Sequence, residues 1–380
     1  MRDGARCSMQ AQGPVSRSTQ SAPGHSPHGR GVTKSGAMRL LPVCMGVLVC
    51  GCAAHGVGER PGAVAAAASV AGREVLVFEG MCDASGAVAL GGGLFVVGDD
   101  EDNILRVYDA RRGGAPVQSV DLSPDLELPA AKKKPPETDI EAATGLGALS
   151  FWLTSHGRNS SGKKAPSRLR FFATEETDAV PRLVGRPYTQ LLDDMLAAPQ
   201  LARFGLDGAE TKAPKAPGGL NIEGMTAMPD GRSILVGFRS PVPDGKALLV
   251  PLLNPVSLVE EEEGARAQLG EPVQLDLGGL GIRSLSWWRG RYLIISGGTA
   301  GEGTSRLFTW RGGEDAPVAV ESVDLAGLNP EAFFTPEDAE EILLLSDDGT
   351  ALVDGVECKR LKDAARKRFR GVWVRLSESP

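Results

Sequence analysis

Asn221-Ile222-Glu223-Gly224, followed across the Asp230-Gly231 turn by the run 233–238, sets a pattern that the rest of the chain repeats. A polar signpost opens a β-rich run, a tight turn ends it, and a second β-rich run returns, as an antiparallel strand pair requires. Upstream, Asp83-Ala84-Ser85-Gly86 precedes runs at 87–90 and 94–98, and Asp139-Ile140-Glu141-Ala142 precedes 149–155. Downstream, Gly281-Ile282-Arg283-Ser284 leads to 292–296, and Asn329-Pro330-Glu331-Ala332 leads to 342–346. Third strands are expected at 104–108, 168–172, 247–252 and 306–310, and fourth strands at 117–122, 182–186, 273–277 and 318–323.

Four short strands per copy, with many copies in one chain, predict an all-β fold: a β-propeller of four-stranded blades around a central channel. Five blades are counted. The fifth has a third strand near 369–376 and lacks a fourth, which the early strand 75–78 is expected to supply, closing the ring and protecting its edges. A sixth blade hidden in the segment 174–219 and a β-sandwich are the alternatives. The segments 155–164 and 191–217 read as insertions, the second beginning in a short helix over 190–201.

Composition agrees with many turns and a large core. Among 380 residues, 42% are hydrophobic, 49 are Gly and 26 are Pro. The net charge of -7 and the isoelectric point near 5.4 give no electrostatic footprint for nucleic acid.

The first part of the chain reads as targeting sequence. Residues 1–37, rich in Ser, Gly, Pro and Arg, are expected to be disordered or untranslated, synthesis in the latter case starting at Met38. Met38-Arg39 and the apolar run 40–49 then form a signal peptide too short to span a bilayer. Val49-Cys50-Gly51-Cys52 resembles the lipobox of bacterial lipoproteins, with Cys52 as the acylated residue; an ordinary secretory signal cleaved near Ala53 or Ala54 is the other reading. Either exports the protein, as an outer-membrane lipoprotein facing the periplasm or as a secreted chain, with 53–72 a flexible tether and 73–380 a single propeller domain. The membrane is then touched only through the lipid on Cys52. With Cys7, Cys44 and Cys50 in removed sequence, Cys82 and Cys358 are left to form a disulfide between the first and last blades, or to remain two buried thiols.

Antiparallel pairing places each signpost at the same edge as the end of the second strand. One charged mouth of the channel is therefore expected to gather Asp139 and Glu141 with His156 and Arg158, Asn221 and Glu223 with Arg239, Asp83 with Asp99, Asp100 and Asp102, and Glu331 with Asp347 and Asp348, together with Arg283. Such a set suits a polar ligand, and Asp83, Asp99, Asp100 and Asp102 suit a divalent cation such as calcium. His156 is the one candidate for moving a proton. Bracing of blades by carboxylates is the structural alternative for the same residues. No Gly-x-Ser-x-Gly, His-Glu-x-x-His, P-loop or Cys-x-x-Cys motif is present.

The phrases Cys82-Asp83-Ala84-Ser85-Gly86-Ala87, Ser155-His156-Gly157-Arg158-Asn159, Ala216-Pro217-Gly218-Gly219-Leu220-Asn221-Ile222-Glu223-Gly224 and Leu280-Gly281-Ile282-Arg283-Ser284 together resemble the bacterial domain-of-unknown-function family number 3616, over about 75–376. That family carries no established activity, so the resemblance implies no catalytic residue. The Asn-x-Glu-Gly start followed by Pro-Asp-Gly-Arg is more loosely similar to exported propellers labelled phytase-like or esterase-like, although the fuller calcium carboxylate set of the phytases is not evident. Three functions are compatible with these readings: a module binding a polar small molecule or an envelope protein, a metal-assisted hydrolase of phosphoesterase type, and a structural scaffold.

Overall fold

The structure, a computed structural model, describes residues 69–70, 73–260, 264–300, 304–336 and 339–376. The signal segment and Cys52 lie outside the described residues.

The short apolar runs pair in chain order. The chain enters through β1 (Ser69–Val70) and β2 (Arg73–Glu79), and then builds blade one from β3 (Gly86–Ala89), β4 (Leu94–Gly98), β5 (Ile104–Asp109) and β6 (Gln118–Asp121). Blade two is β7 (Ile140–Leu146), β8 (Leu149–Thr154), β9 (Phe171–Thr177) and β10 (Val180–Tyr188). Blade three follows after α1 (Leu191–Ala197) and α2 (Leu206–Ala209), as β11 (Asn221–Ala227), β12 (Ile234–Ser240), β13 (Ala247–Leu252) and, past α3 (Pro255–Val259), β14 (Val273–Leu275). Blade four is β15 (Gly281–Trp288), β16 (Arg291–Gly297), β17 (Arg306–Trp310) and β18 (Val318–Ala319). The last blade takes β19 (Pro330–Phe334) and β20 (Glu341–Ser346), passes the small hairpin β21 (Leu352–Val353) and β22 (Val356–Glu357), and adds β23 (Arg368–Arg375).

β23 pairs antiparallel with β2, Val75 opposite Val372 and Phe78 opposite Phe369, so the first strand completes the last blade. The innermost strands β3, β7, β11, β15 and β19 each touch the next, and β19 touches β3, which closes a five-bladed ring. The segment 174–219 holds no sixth blade. It contains the outer strands of blade two and then short helices whose Leu191, Met195, Leu201 and Phe204 pack between blades two and three. The expected third strand at 168–172 begins later, because Pro166–Arg168 forms a single 3-10 turn. The expected helix ends at Ala197, since Pro199 opens a separate 3-10 segment, Pro199–Phe204.

The core is a set of layers between blades. Successive side chains on a strand face opposite sides, so a middle strand clamped between two neighbours must be apolar on both. In β8, Phe151 and Leu153 face blade three, whereas Trp152 faces blade one. In β20, Ile342 and Leu344 face blade four and Leu343 and Leu345 face blade one. Trp288 is buried between blades four and five, while its neighbour Trp287 leans on Tyr292 toward blade three. At the seam where the ring closes, Phe78 stacks on Phe369 at 4.9 Å between ring centres and meets Phe95 and Tyr108 edge-on, each at 5.4 Å. Cys82 and Cys358 form a disulfide across the same seam.

Candidate functional site

Four of the five innermost strands begin with the same irregularity. The pairing of β7 with β8 skips from Ile140 to Ala142, that of β11 with β12 from Ile222 to Gly224, that of β15 with β16 from Ile282 to Ser284, and that of β19 with β20 from Pro330 to Ala332. The skipped residues are Glu141, Glu223, Arg283 and Glu331. A bulge leaves one residue out of the ladder and re-aims its side chain, and here the bulged side chains line one pocket at the mouth of the channel. The signposts Asp83, Asp139, Asn221 and Asn329 line it too, and Asp100, Arg239 and Asp347 reach it from the second-strand ends. Its volume is about 480 Å³.

One side of this mouth is braced by ion pairs. Arg239 Nη1 donates to Glu223 Oε1 at 2.5 Å, and Asn221 Nδ2 donates to the same oxygen at 2.6 Å. Arg283 contacts Glu331, and its Nη1 also donates to Asn329 Oδ1 at 3.3 Å. Arg168 lies 2.8 Å from Asp139 Oδ2 and 2.6 Å from Glu137 Oε1. The bracing leaves atoms over. Asn221 Oδ1, Glu223 Oε2 and Arg239 Nη2 are buried without a hydrogen-bond partner, on residues that are 7%, 3% and 5% exposed. Unpartnered buried polar atoms are costly, and all three belong to residues that line this one pocket.

The other side is carboxylate-rich. Oxygen atoms of Asp83, Asp100 and Glu101 lie within 4.8 Å of one another, and so do those of Asp100, Asp139 and Glu141. Burial raises the Asp83 carboxyl far above the usual range, and the adjoining Asp347 carboxyl adds to the shift. Asp100 is raised by burial and then by Asp99, Asp139 and Asp347. Glu141 is raised by burial and by Glu223, Asp139 and Asp100. Asp139 rises only to about 6, since burial is opposed by Arg168 and a hydrogen bond from Ser155.

Of the residues that the sequence placed at this mouth, Asp83, Asp100, Asp139, Glu141, Asn221, Glu223, Arg239, Arg283, Glu331 and Asp347 meet there. Asp99, Asp102, His156 and Arg158 do not line the pocket. Asp102 accepts from Arg106 at 2.6 Å, and Asp99 accepts from the Glu101 backbone at 2.8 Å, with Arg106 3.9 Å away, so strand β5 draws both away from the mouth. His156 has φ 54°, which turns the chain after β8 and folds Nδ1 back onto the Thr154 carbonyl at 2.7 Å. It is 2% exposed, and burial lowers its pKa to about 4. Arg158 is taken up by the inserted segment, donating to the Glu210 carbonyl at 2.6 Å and lying 3.2 Å from its carboxylate. Asp348 pairs with Arg370 at 2.6 Å. Sequence reasoning missed Glu137, Arg168, Asn329 and Lys359 as lining residues; Asn329 stood in its own copy of the signpost and was legible, whereas Arg168 and Lys359 sit on turns with no repeat to flag them.

The model of a protein family of unknown function, DUF3616, matches residues 173–351, from within β9 to the turn between β20 and β21. The resemblance to DUF3616 holds. The DUF3616 match therefore covers Glu223, Arg239, Arg283, Glu331 and Asp347, while the carboxylates Asp83, Asp100, Asp139 and Glu141 lie before it. No curated protein matches the sequence. Among solved structures, the PQQ-bound aldose sugar dehydrogenase of Streptomyces coelicolor is 12% identical, with a TM-score of 0.38, over 80% of this chain and 99% of that one. The glutaminyl cyclase of Myxococcus xanthus is 10% identical, with a TM-score of 0.41, over 80% of this chain and 96% of that one.

Proposed function

We propose that the protein is an exported, lipid-tethered β-propeller that binds a polar, anion-bearing small molecule or envelope partner at the charged mouth. The observation that carries this reading is the set of buried, unpartnered atoms on one open pocket: the Arg239 Nη2 donor beside the Glu223 Oε2 and Asn221 Oδ1 acceptors. A guanidinium edge beside amide and carboxylate oxygens recognises a group carrying both negative charge and hydroxyl or amine donors, such as an acidic sugar, a sugar phosphate or an amino acid. A purely structural role would use these atoms up internally, and the Arg–carboxylate pairs stop short of doing so. The hydrolase reading that employs His156 as the proton carrier does not fit, because that ring is buried away from the pocket.

Export is supported by the Cys82–Cys358 disulfide, since such bonds persist in oxidising compartments. Acylation at Cys52 is tested by membrane fractionation of the wild type and of Cys52→Ser; a variant that remains in the membrane fraction removes the anchor from the proposal.

Ligand binding is tested by titrating inorganic phosphate, sugar phosphates, uronic acids and acidic amino acids into the protein, with saturation-transfer NMR as readout. A compound in the panel should bind the wild type and bind Arg239→Lys at least tenfold more weakly, since Lys keeps the charge and loses the fork. Equal affinity for both proteins, or no binding across the panel, ends the reading.

A further inference from the structure

We infer that the carboxylate side of the mouth is a site for one hard divalent cation of calcium type, held by Asp100 together with Asp83, Asp139 and Glu141. The inference deepens the ligand-binding reading of the same mouth, and rests on geometry that stands without it.

Asp100 is the shared member of both carboxylate triads, with Asp83 and Glu101 in one and Asp139 and Glu141 in the other, so it links carboxylates of the loop after β2, of blade one and of blade two in one cluster. A second observation points the same way. Asp83 is 5% exposed, and its Oδ2 has no hydrogen-bond partner although the side chain lines the pocket within this cluster. Asp100 Oδ1 is likewise buried and unpartnered. Among the described residues the nearby guanidiniums are committed elsewhere: Arg168 to Glu137 and Asp139, Arg239 to Glu223, Arg283 to Glu331 and Arg106 to Asp102. Among the described residues no ion pair reaches Asp83, Asp100 or Glu141. Buried carboxylates so close together must be neutralised, and where no basic side chain is paired with them protons or a metal ion can do so.

The donor set selects the ion. Every ligand atom is a carboxylate oxygen, and the cluster contains no imidazole or thiolate, since the ring of His156 points elsewhere and Cys82 is in the disulfide. Oxygen-only ligation by several carboxylates suits calcium, with magnesium and manganese as competitors, rather than zinc or copper. The cation would neutralise the acidic side and offer its open positions to an anionic group held by Arg239 across the pocket.

The test uses the full chain, stripped with chelator and dialysed, with the metal ion alone as probe. Isothermal titration with calcium, and separately with magnesium and manganese, should give saturable binding near one equivalent for at least one ion. The thermal midpoint should rise by about 5 °C at an ion concentration a hundredfold above the dissociation constant. Asp100→Asn should remove both signals and melt no lower than the stripped wild type, because it relieves repulsion in the empty cluster; Glu141→Gln should weaken binding at least tenfold. Absence of heat and of any midpoint shift with all three ions overturns the inference, and so does undiminished binding by Asp100→Asn. Because no organic ligand enters this experiment, failure of the ligand panel leaves its outcome unaffected, and the reverse holds as well.

Discussion

Nη1 of Arg239, at the end of the second strand of blade three, donates to Oε1 of Glu223, on the bulge of the first strand, and both side chains are almost wholly buried. This pair fixes the guanidinium, leaving Nη2 buried without a partner, while Nε donates to the Gly298 carbonyl at 3.1 Å and ties blade three to blade four. Breaking a buried pair from one side leaves an uncompensated charge, which costs more than the pair itself contributes.

Glu223→Ala should therefore destabilise the protein by about 3–5 kcal/mol, whereas Glu223→Ala combined with Arg239→Met should recover more than half of that loss. Urea denaturation of the single and double variants measures it. A double variant as unstable as the sum of its parts would show that the two side chains act independently.

Phe78 offers a test of ring closure. It belongs to β2, is fully buried, and touches Phe369 in its own blade and Phe95 and Tyr108 in blade one. Phe78→Ala should cost about 3–5 kcal/mol, and hydrogen exchange should quicken first in β2 and β23. Loss confined to a local loop, with those two strands still protected, would contradict a ring held shut by the early strand.

The blades were legible because each repeats a polar signpost, a turn and a return strand, and because a missing fourth strand at the end matched a spare strand at the start. The bulges were not legible. A bulge is a mismatch between two strands, and nothing in Ile222-Glu223-Gly224 alone says that Glu223 leaves the ladder, although the recurrence of a charged residue at 141, 223, 283 and 331 is its trace. The misplaced residues share one cause. His156, Arg158, Asp99 and Asp102 were positioned by chain proximity to a strand end, and each was then captured by a partner that strand counting cannot supply: a carbonyl two residues back, an inserted loop, or an arginine on the next strand.

His156 gives a pH dependence with a definite sign. Its Nδ1 donates to the Thr154 carbonyl, and burial of the partnerless Nε2 keeps the ring neutral with Nε2 unprotonated. Burial lowers its pKa to about 4, against about 6.5 in an unfolded chain. The unfolded state then binds the extra proton first, and stability falls as pH drops from about 6.5 toward 4, by on the order of 3 kcal/mol from this residue. His156→Asn, which tolerates the left-handed backbone, should abolish that part of the slope. Parallel pH–stability curves for the two proteins across this interval would refute the buried neutral assignment.

Gly349 separates packing from ligation at the acidic side. A methyl group at this position would collide with Oδ1 of Asp83, and the Gly349 backbone is not in the left-handed region, so Asp83 is what an alanine would displace. Gly349→Ala should weaken calcium binding at least tenfold while changing the chelated protein's stability by no more than about 2 kcal/mol. Calcium titration and chelated melts distinguish the two effects, and unchanged affinity would mean that Asp83 is not a ligand.

The disulfide joins stability to the site. Cys82 immediately precedes Asp83 and Cys358 immediately precedes Lys359, and both of these neighbours line the pocket. The loops are also laced by backbone bonds, Asp348 N–H to the Cys82 carbonyl at 2.9 Å and Lys359 N–H to the Gly349 carbonyl at 3.0 Å. The crosslink spans 276 positions, so it removes a great deal of freedom from the unfolded chain, and its loss should cost about 2–5 kcal/mol. Reduction should also loosen Asp83 and so weaken calcium binding by more than the single substitution Lys359→Ala does. Denaturant midpoints with and without reductant measure the first effect, and calcium titration of Cys82→Ser/Cys358→Ser against Lys359→Ala measures the second. A serine variant that melts lower yet binds calcium as tightly as the wild type would confine the disulfide to stability and show that the hydrogen-bonded loops hold Asp83 without it.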